Sequence, residues 1–347
     1  MNHSSFSPFY ERPAKWFSGF MVGEFIVSLT LGLLVLAALY ASIGNDIFTD
    51  WSAFLPVIIS TAMFSLYIAT YTLRSIFPEM DARLHPKSSD IYMEPLNRYL
   101  SNERFVLTGI FFGVVNCLFG DQFGLPYTDN TVTILTLFFS YFVVGFVCGM
   151  AAYSIFAVSI SINAFTKEAR HSLDYSSPDN CGGTKVIGDA LIIFGGVTLI
   201  IGVMISVYIL KAQWTGGNDW WITSLKAFWI IFPYLMSLTA LIVPSSVINS
   251  ALKEYKLNQE IILKERLSSI REKLEQPEVN PARIKELRED YEFLKSTRTE
   301  LYKMRTWPID IGANYKFLSV FLGNVIVSTS GTYSWLCDLG ALECVLP

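Results

Sequence analysis

Long apolar runs, broken at intervals by short charged segments, dominate the first 252 residues of the chain. Stretches free of Asp, Glu, Lys and Arg cover residues 25 to 45, 51 to 73, 105 to 120, 131 to 166, 190 to 210 and 227 to 252. About 20 apolar residues in a helix cross the ~30 Å hydrocarbon layer of a bilayer, so the pattern predicts six membrane spans. The third is short. Its 16 charge-free residues reach only ~24 Å, which requires help from Tyr99 and Leu100 or a locally thinned bilayer. The fourth is long. Its 36 residues reach ~54 Å as one helix, so it either projects beyond the membrane or bends near Gly145 and Gly149.

From Ser250 the pattern changes. Leu263, Leu267, Ile270 and Leu274 form one heptad seam, and Ile284, Leu287, Tyr291, Leu294 and Leu301 form a second, with Arg298 in the intervening slot. Between them lies Glu275-Gln276-Pro277-Glu278-Val279-Asn280-Pro281. Its prolines stop a helix and Asn280 is suited to cap the next. The expectation is an all-α fold: a polytopic transmembrane helical bundle of about six spans over 1–250, with loops 74–104 and 167–189, and a coiled-coil antiparallel helical hairpin over 251–306. The remaining segment, 307–347, contains a further charge-free run from Phe317 to Cys337 that turns rich in Ser, Thr and Gly after Val327. It reads either as an interfacial helix or as a seventh span.

Composition reinforces this division. Hydrophobic residues make up 52% of the 347 and charged residues 16%, well below the ~25% charged of an ordinary soluble domain. Of the 56 charged side chains, 24 fall between Lys253 and Arg305. A soluble enzyme, a disordered regulator and a basic duplex-binding protein are therefore excluded, the last also because net charge is only -4. The five cysteines form no C-x-x-C pair, and the three histidines lie outside the apolar runs. No nucleotide-binding glycine loop, zinc-protease motif or cleavable signal peptide is evident, so no metal, cofactor or enzymatic chemistry is expected.

Basic residues set the orientation. The N-terminal segment and loops 74 to 104 and 167 to 189 hold ten Lys and Arg, whereas the alternate connections hold Lys211 and Lys226. The positive-inside rule places the N-terminus and the hairpin in the cytoplasm. Trp16, Trp51, Trp214, Trp220 and Trp221 flank the span ends as an aromatic belt.

Three groups of residues are candidates for function. The loop Ser177-Pro178-Asp179-Asn180-Cys181-Gly182-Gly183 precedes the fifth span. Pro178 fixes a turn, Asp179 or Asn180 can cap the incoming helix, and Gly182 and Gly183 permit positive φ or close approach. It reads as a tight re-entry turn or as a hinge, and it resembles a P-D-x-x-G-G signature of bacterial polytopic proteins. Pro233 and Pro244 interrupt the sixth span's hydrogen-bond ladder and mark a second hinge or gate. Gly19 and Gly23, Gly109 and Gly113, and Gly145 and Gly149 are small-x-x-x-small pairs for close helix contact, within a chain or between chains. On the hairpin, Arg283, Arg288, Lys295, Arg298, Lys303 and Arg305 offer a basic stripe to an anionic ligand, among interleaved acidic residues including Glu286, Glu289, Asp290 and Glu292.

In layout, several spans joined to a charged helical module, the chain resembles bacterial membrane effectors of anti-phage defence, the Hailong-type channel among them. The resemblance implies a multimeric channel held shut by a nucleic-acid oligomer made by a partner enzyme, with Arg288, Lys295 and Arg298 facing that ligand. The expectation is thus a homo-oligomeric, bilayer-embedded channel or permeabilising effector controlled by an anionic or nucleotide-type ligand or a partner protein. A small-solute transporter and a membrane scaffold are the alternatives. Carboxylates and histidines deep in the membrane, which a proton relay needs, are missing from the pattern.

Overall fold

The computed structural model describes residues 9–16, 21–83, 101–125, 130–168, 173, 175–216, 219–275 and 281–309. Among them are seven long helices: α1 Val22–Ile43, α2 Phe54–Arg83, α3 Asn102–Phe123, α4 Thr131–Glu168, α5 Lys185–Lys211, α6 Trp220–Leu274 and α7 Pro281–Lys303. Six, α1 to α6, are long and apolar enough to cross a membrane. The protein is an all-α, multi-pass membrane protein. The run from Phe317 to Cys337, with Gly19, Asn280 and the pair Tyr99 and Leu100, lies outside the described residues.

The two irregular spans resolve simply. Helix α3 starts at Asn102 and runs 22 residues, ~33 Å, because its polar ends, Asn102 to Arg104 and Asp121 to Gln122, are helical too. Helix α4 is one helix of 38 residues. It outruns the bilayer, and Gly145 and Gly149 serve as packing surface inside it.

Helices α1 and α2, α3 and α4, and α5 and α6 pair along the chain, and α2 also lies against both α4 and α5. Lipid tails are as apolar as leucine, so helices associate here through close packing and not through burial from water. Helix α1 shows the outer face of such a bundle: Phe25, Leu29, Leu33 and Leu34 are exposed, while Gly32 lets its backbone approach Ser60 and Pro56 of α2. Many span hydroxyls bond within their own helices: Thr136 Oγ1 donates to the Val132 carbonyl at 2.8 Å, and Ser245 Oγ to the Leu241 carbonyl at 2.6 Å, which satisfies them in apolar surroundings.

At the end of the bundle far from α7, aromatic rings gather. Tyr141 and Tyr208 share a hydroxyl hydrogen bond of 2.6 Å. Trp214 Nε1 donates to the Ile209 carbonyl at 2.8 Å, and its ring meets Phe123 edge to face at 5.1 Å. Lys226 is buried there, its ammonium 5.6 Å from the Phe123 ring centre and 5.7 Å from that of Trp214. Cation–π attraction offsets part of the cost of placing that charge among rings. Trp16, Trp220 and Trp221 remain exposed at helix ends.

Candidate functional site: the junction between bundle and hairpin

Helix α6 is continuous for 55 residues, ~82 Å, so it crosses the membrane and forms the first arm of the hairpin without a break. Pro233 and Pro244 both lie inside it. Each removes a backbone donor, and around Pro233 the contacts are with α5. Pro233 fills the space beside Gly202, where an added Cβ would come to 2.8 Å from its ring. Ser206 Oγ lies 3.4 Å from the Ile230 carbonyl, and Ser237 Oγ donates to the Gly195 carbonyl at 2.7 Å. Pro233 sits on a tied, well-packed face, and Pro244 is buried.

Helix α7 returns along α6. Buried Leu263 and Leu301, flanked by half-buried Leu267, Ile270, Leu287 and Leu294, occupy the seam that the heptads predict, and Thr297, next to the expected slot at Arg298, is buried as well. Across it, Arg298 lies 3.7 Å from Glu260 and donates to the Tyr302 hydroxyl at 3.1 Å; Tyr302 in turn donates to Glu260. Together with the Tyr302 ring, 5.4 Å away, these partners hold the Arg298 guanidinium above its ordinary pKa, the Tyr302 hydrogen bond first among the causes. Of the predicted basic stripe, then, Arg298 is engaged within the hairpin. Lys295 lies 3.8 Å from Glu292. Arg288 and Arg305 have exposed side chains.

The P-D-x-x-G-G loop is where bundle and hairpin meet. Asp179 Oδ1 accepts the N–H groups of Cys181 at 2.8 Å and Gly183 at 3.1 Å, and Oδ2 accepts that of Lys185, the first residue of α5, at 3.2 Å. One carboxylate thereby ties the loop backbone together, satisfies one of the donors that a helix start leaves open, at Lys185, and places negative charge at the helix's positive end. Burial pushes the Asp179 carboxyl up, but these three N–H groups outweigh it and hold it below the usual carboxylate range. Asn180 (φ 53°), Gly182 (φ 63°) and Gly183 (φ 88°) turn the chain through the left-handed region, which explains the glycine pair.

What the sequence did not indicate is the loop's partner. The segment after α7, 304 to 309, folds back onto it. Arg305 N donates to the Asn180 carbonyl at 2.7 Å, and Cys181 Sγ lies 3.5 Å from the Trp307 carbonyl. Gly182 is pressed against Met304 and Leu252, and Gly188 of α5 against the Pro308 backbone. Lys256 of α6 clamps the end of α7 by donating to the carbonyls of Tyr302 at 3.1 Å and Met304 at 2.9 Å. The structure thus brings Asp179, Gly182 and Gly183 together with the Arg305 backbone in one buckle that joins α5, α6 and the end of α7. Pro178 is exposed at its rim. Pro233 belongs to the α5–α6 face instead, Pro244 is buried further along α6, and Arg288 and Lys295 lie out along α7.

The glycine pairs form a separate element. An added Cβ on Gly109 or Gly113 would come to 2.8 Å from the rings of Phe146 or Phe142, and one on Gly149 to 2.7 Å from Phe112. Gly109 and Gly113 of α3 and Gly145 and Gly149 of α4 face one another within one chain. Asn116 Nδ2 adds a hydrogen bond of 2.7 Å to the Tyr141 carbonyl across the same seam. No protein-family profile, curated protein or solved structure matches this chain.

Proposed function

We propose that this chain is the subunit of a homo-oligomeric channel or membrane-permeabilising effector in a bacterial inner membrane, with its N-terminus and hairpin in the cytoplasm. In this reading the hairpin receives a signal and the buckle passes it to the spans. The observation that carries it is the unbroken α6, which runs from the membrane crossing into the hairpin and is clamped at the boundary to both α5 and the end of α7. A displacement of the hairpin is then felt at the start of α5 and along α6 without an intervening flexible linker. The exposed Arg288, Lys295 and Arg305 side chains are the candidate contacts for an anionic or nucleotide-type ligand or an acidic partner protein, and anti-phage defence is the setting that the layout suggests.

The test is ion flux from liposomes holding the purified protein. Flux without a saturable solute, altered by a cytosolic anionic ligand, supports the channel. Saturable uptake of one solute supports a transporter, and silence with stable capture of a partner supports a scaffold. Reversing Arg288, Lys295 and Arg305 to Glu should change the ligand response while leaving insertion intact. An unchanged response removes the basic stripe from the account.

A further inference from the structure

Between the α3–α4 pair and the α5–α6 pair, with α2 at its floor, lies a cavity of about 120 Å³. It is comparable in size to an engineered protein cavity of ~150 Å³ that binds benzene. Helices α4 and α5 scarcely touch, and α3 and α6 meet over only a short stretch. Phe119 and Trp229 close one part of that stretch edge to face at 5.0 Å. Beyond them the rim consists of half-buried side chains: Phe112, Ile155, Phe232 and Met236. The opening is therefore lateral, at a depth where the surrounding medium is hydrocarbon.

The walls carry a few polar atoms, and most of these are already bonded within the protein. Asn116 donates to the Tyr141 carbonyl, the Tyr141 and Tyr208 hydroxyls bond to each other, Thr198 Oγ1 donates to the Phe194 carbonyl at 2.8 Å, and Trp214 bonds to Ile209. Trp229 Nε1 is buried without a partner. A buried water needs two to four polar partners, whereas the lining of this cleft is overwhelmingly apolar. Water is thus disfavoured, and an empty space beside fluid chains forfeits dispersion contacts on every wall atom.

We infer that this cleft is a binding site for one phospholipid acyl chain, entering from the bilayer between α3 and α6. The occupant is an apolar chain and not a solvated ion, so an ion path in the proposed channel would run elsewhere, between subunits. The inference rests on the membrane placement of α1 to α6 and stands if the channel reading fails.

The experiment is photolabelling in lipid nanodiscs with a phospholipid bearing a mid-chain diazirine, followed by peptide mapping. Labelling several-fold higher at Ala152, Ile155, Phe232 and Met236 than at the exposed, lipid-facing Leu34 and Leu107 is the expected result. The filling substitution Ala152→Phe should lower labelling at Met236 and leave Leu34 unchanged. Equal labelling at all these positions overturns the inference. So does rapid reaction of Cys148, which lines the cleft, with a membrane-impermeant maleimide, because that result means water. The native map and the Cys148 reaction need no variant, so a misfolded Ala152→Phe protein does not protect the proposal.

Discussion

Helix α4 meets α3 along one face and stands off from α5 along another, and the residues facing each way explain why. Toward α3, Gly145 and Gly149 oppose Gly109 and Gly113, so two backbones close until Phe142, Phe146 and Phe112 rest against bare Cα atoms. Toward α5, the bulk of Tyr141 and Tyr208 holds the helices apart at one end, and the small Ala151 and Ala152 further along leave a cleft. Without a hydrophobic drive between helices in lipid, the size of facing residues decides between a seam and a gap.

Substitutions of like chemistry on the two faces should therefore differ sharply. The largest effect is expected for Gly145→Leu. Even its Cβ would sit 2.7 Å from Asn116 Cβ and 2.9 Å from the Gly113 Cα, so overpacking should cost about 3 kcal/mol or more, measured by denaturation in detergent. In the buckle, Gly182→Ala must adopt φ +63° with its Cβ 2.9 Å from the Met304 methyl. A loss of about 1–2 kcal/mol follows from the left-handed backbone alone. Asp179→Ala should remove about 1 kcal/mol, the usual value of a lost helix cap. Because the folded Asp179 carboxyl titrates below its ordinary value, its contribution is complete above the unfolded pKa of ~3.9 and is lost as pH falls through the depressed folded value. The wild type should therefore lose its advantage over Asp179→Ala only in strongly acid solution, and a difference already gone at neutral pH would contradict the cap. The smallest effect is expected for Gly196→Ala in α5, where an added Cβ meets nothing within 4 Å. It should be neutral or stabilise by up to about 1 kcal/mol through helix propensity.

The sequence was most legible where one physical variable decides. Runs free of charge locate all six spans because the bilayer sorts residues by charge alone, and heptad spacing locates the hairpin seam at Leu263 and Leu301. The glycine pairs were visible as pairs, but spacing along one helix says nothing of the partner, and only packing assigns Gly109 and Gly113 to Gly145 and Gly149. Asp179 was legible as a cap from its place ahead of an apolar run. Its union with residues 304 to 309, more than a hundred positions later, was not, because backbone hydrogen bonds such as Arg305 N to the Asn180 carbonyl carry no residue signature. Arg298 illustrates the opposite hazard. Its position in a heptad slot suits a ligand stripe and a cross-hairpin pair equally, and the difference lies in Glu260 and Tyr302 standing opposite. The cleft was invisible because it is a shortage of bulk shared among five helices.

In the proposed channel the spans conduct and the buckle couples them to the hairpin. Planar-bilayer recording of a protein with Asn180→Cys and Arg305→Cys, neighbours joined by a backbone hydrogen bond, tests both at once. Discrete current steps whose dwell times change on oxidation and recover on reduction are the predicted result. A silent bilayer containing verified, inserted protein, or steps indifferent to the redox state of a confirmed cross-link, would contradict it.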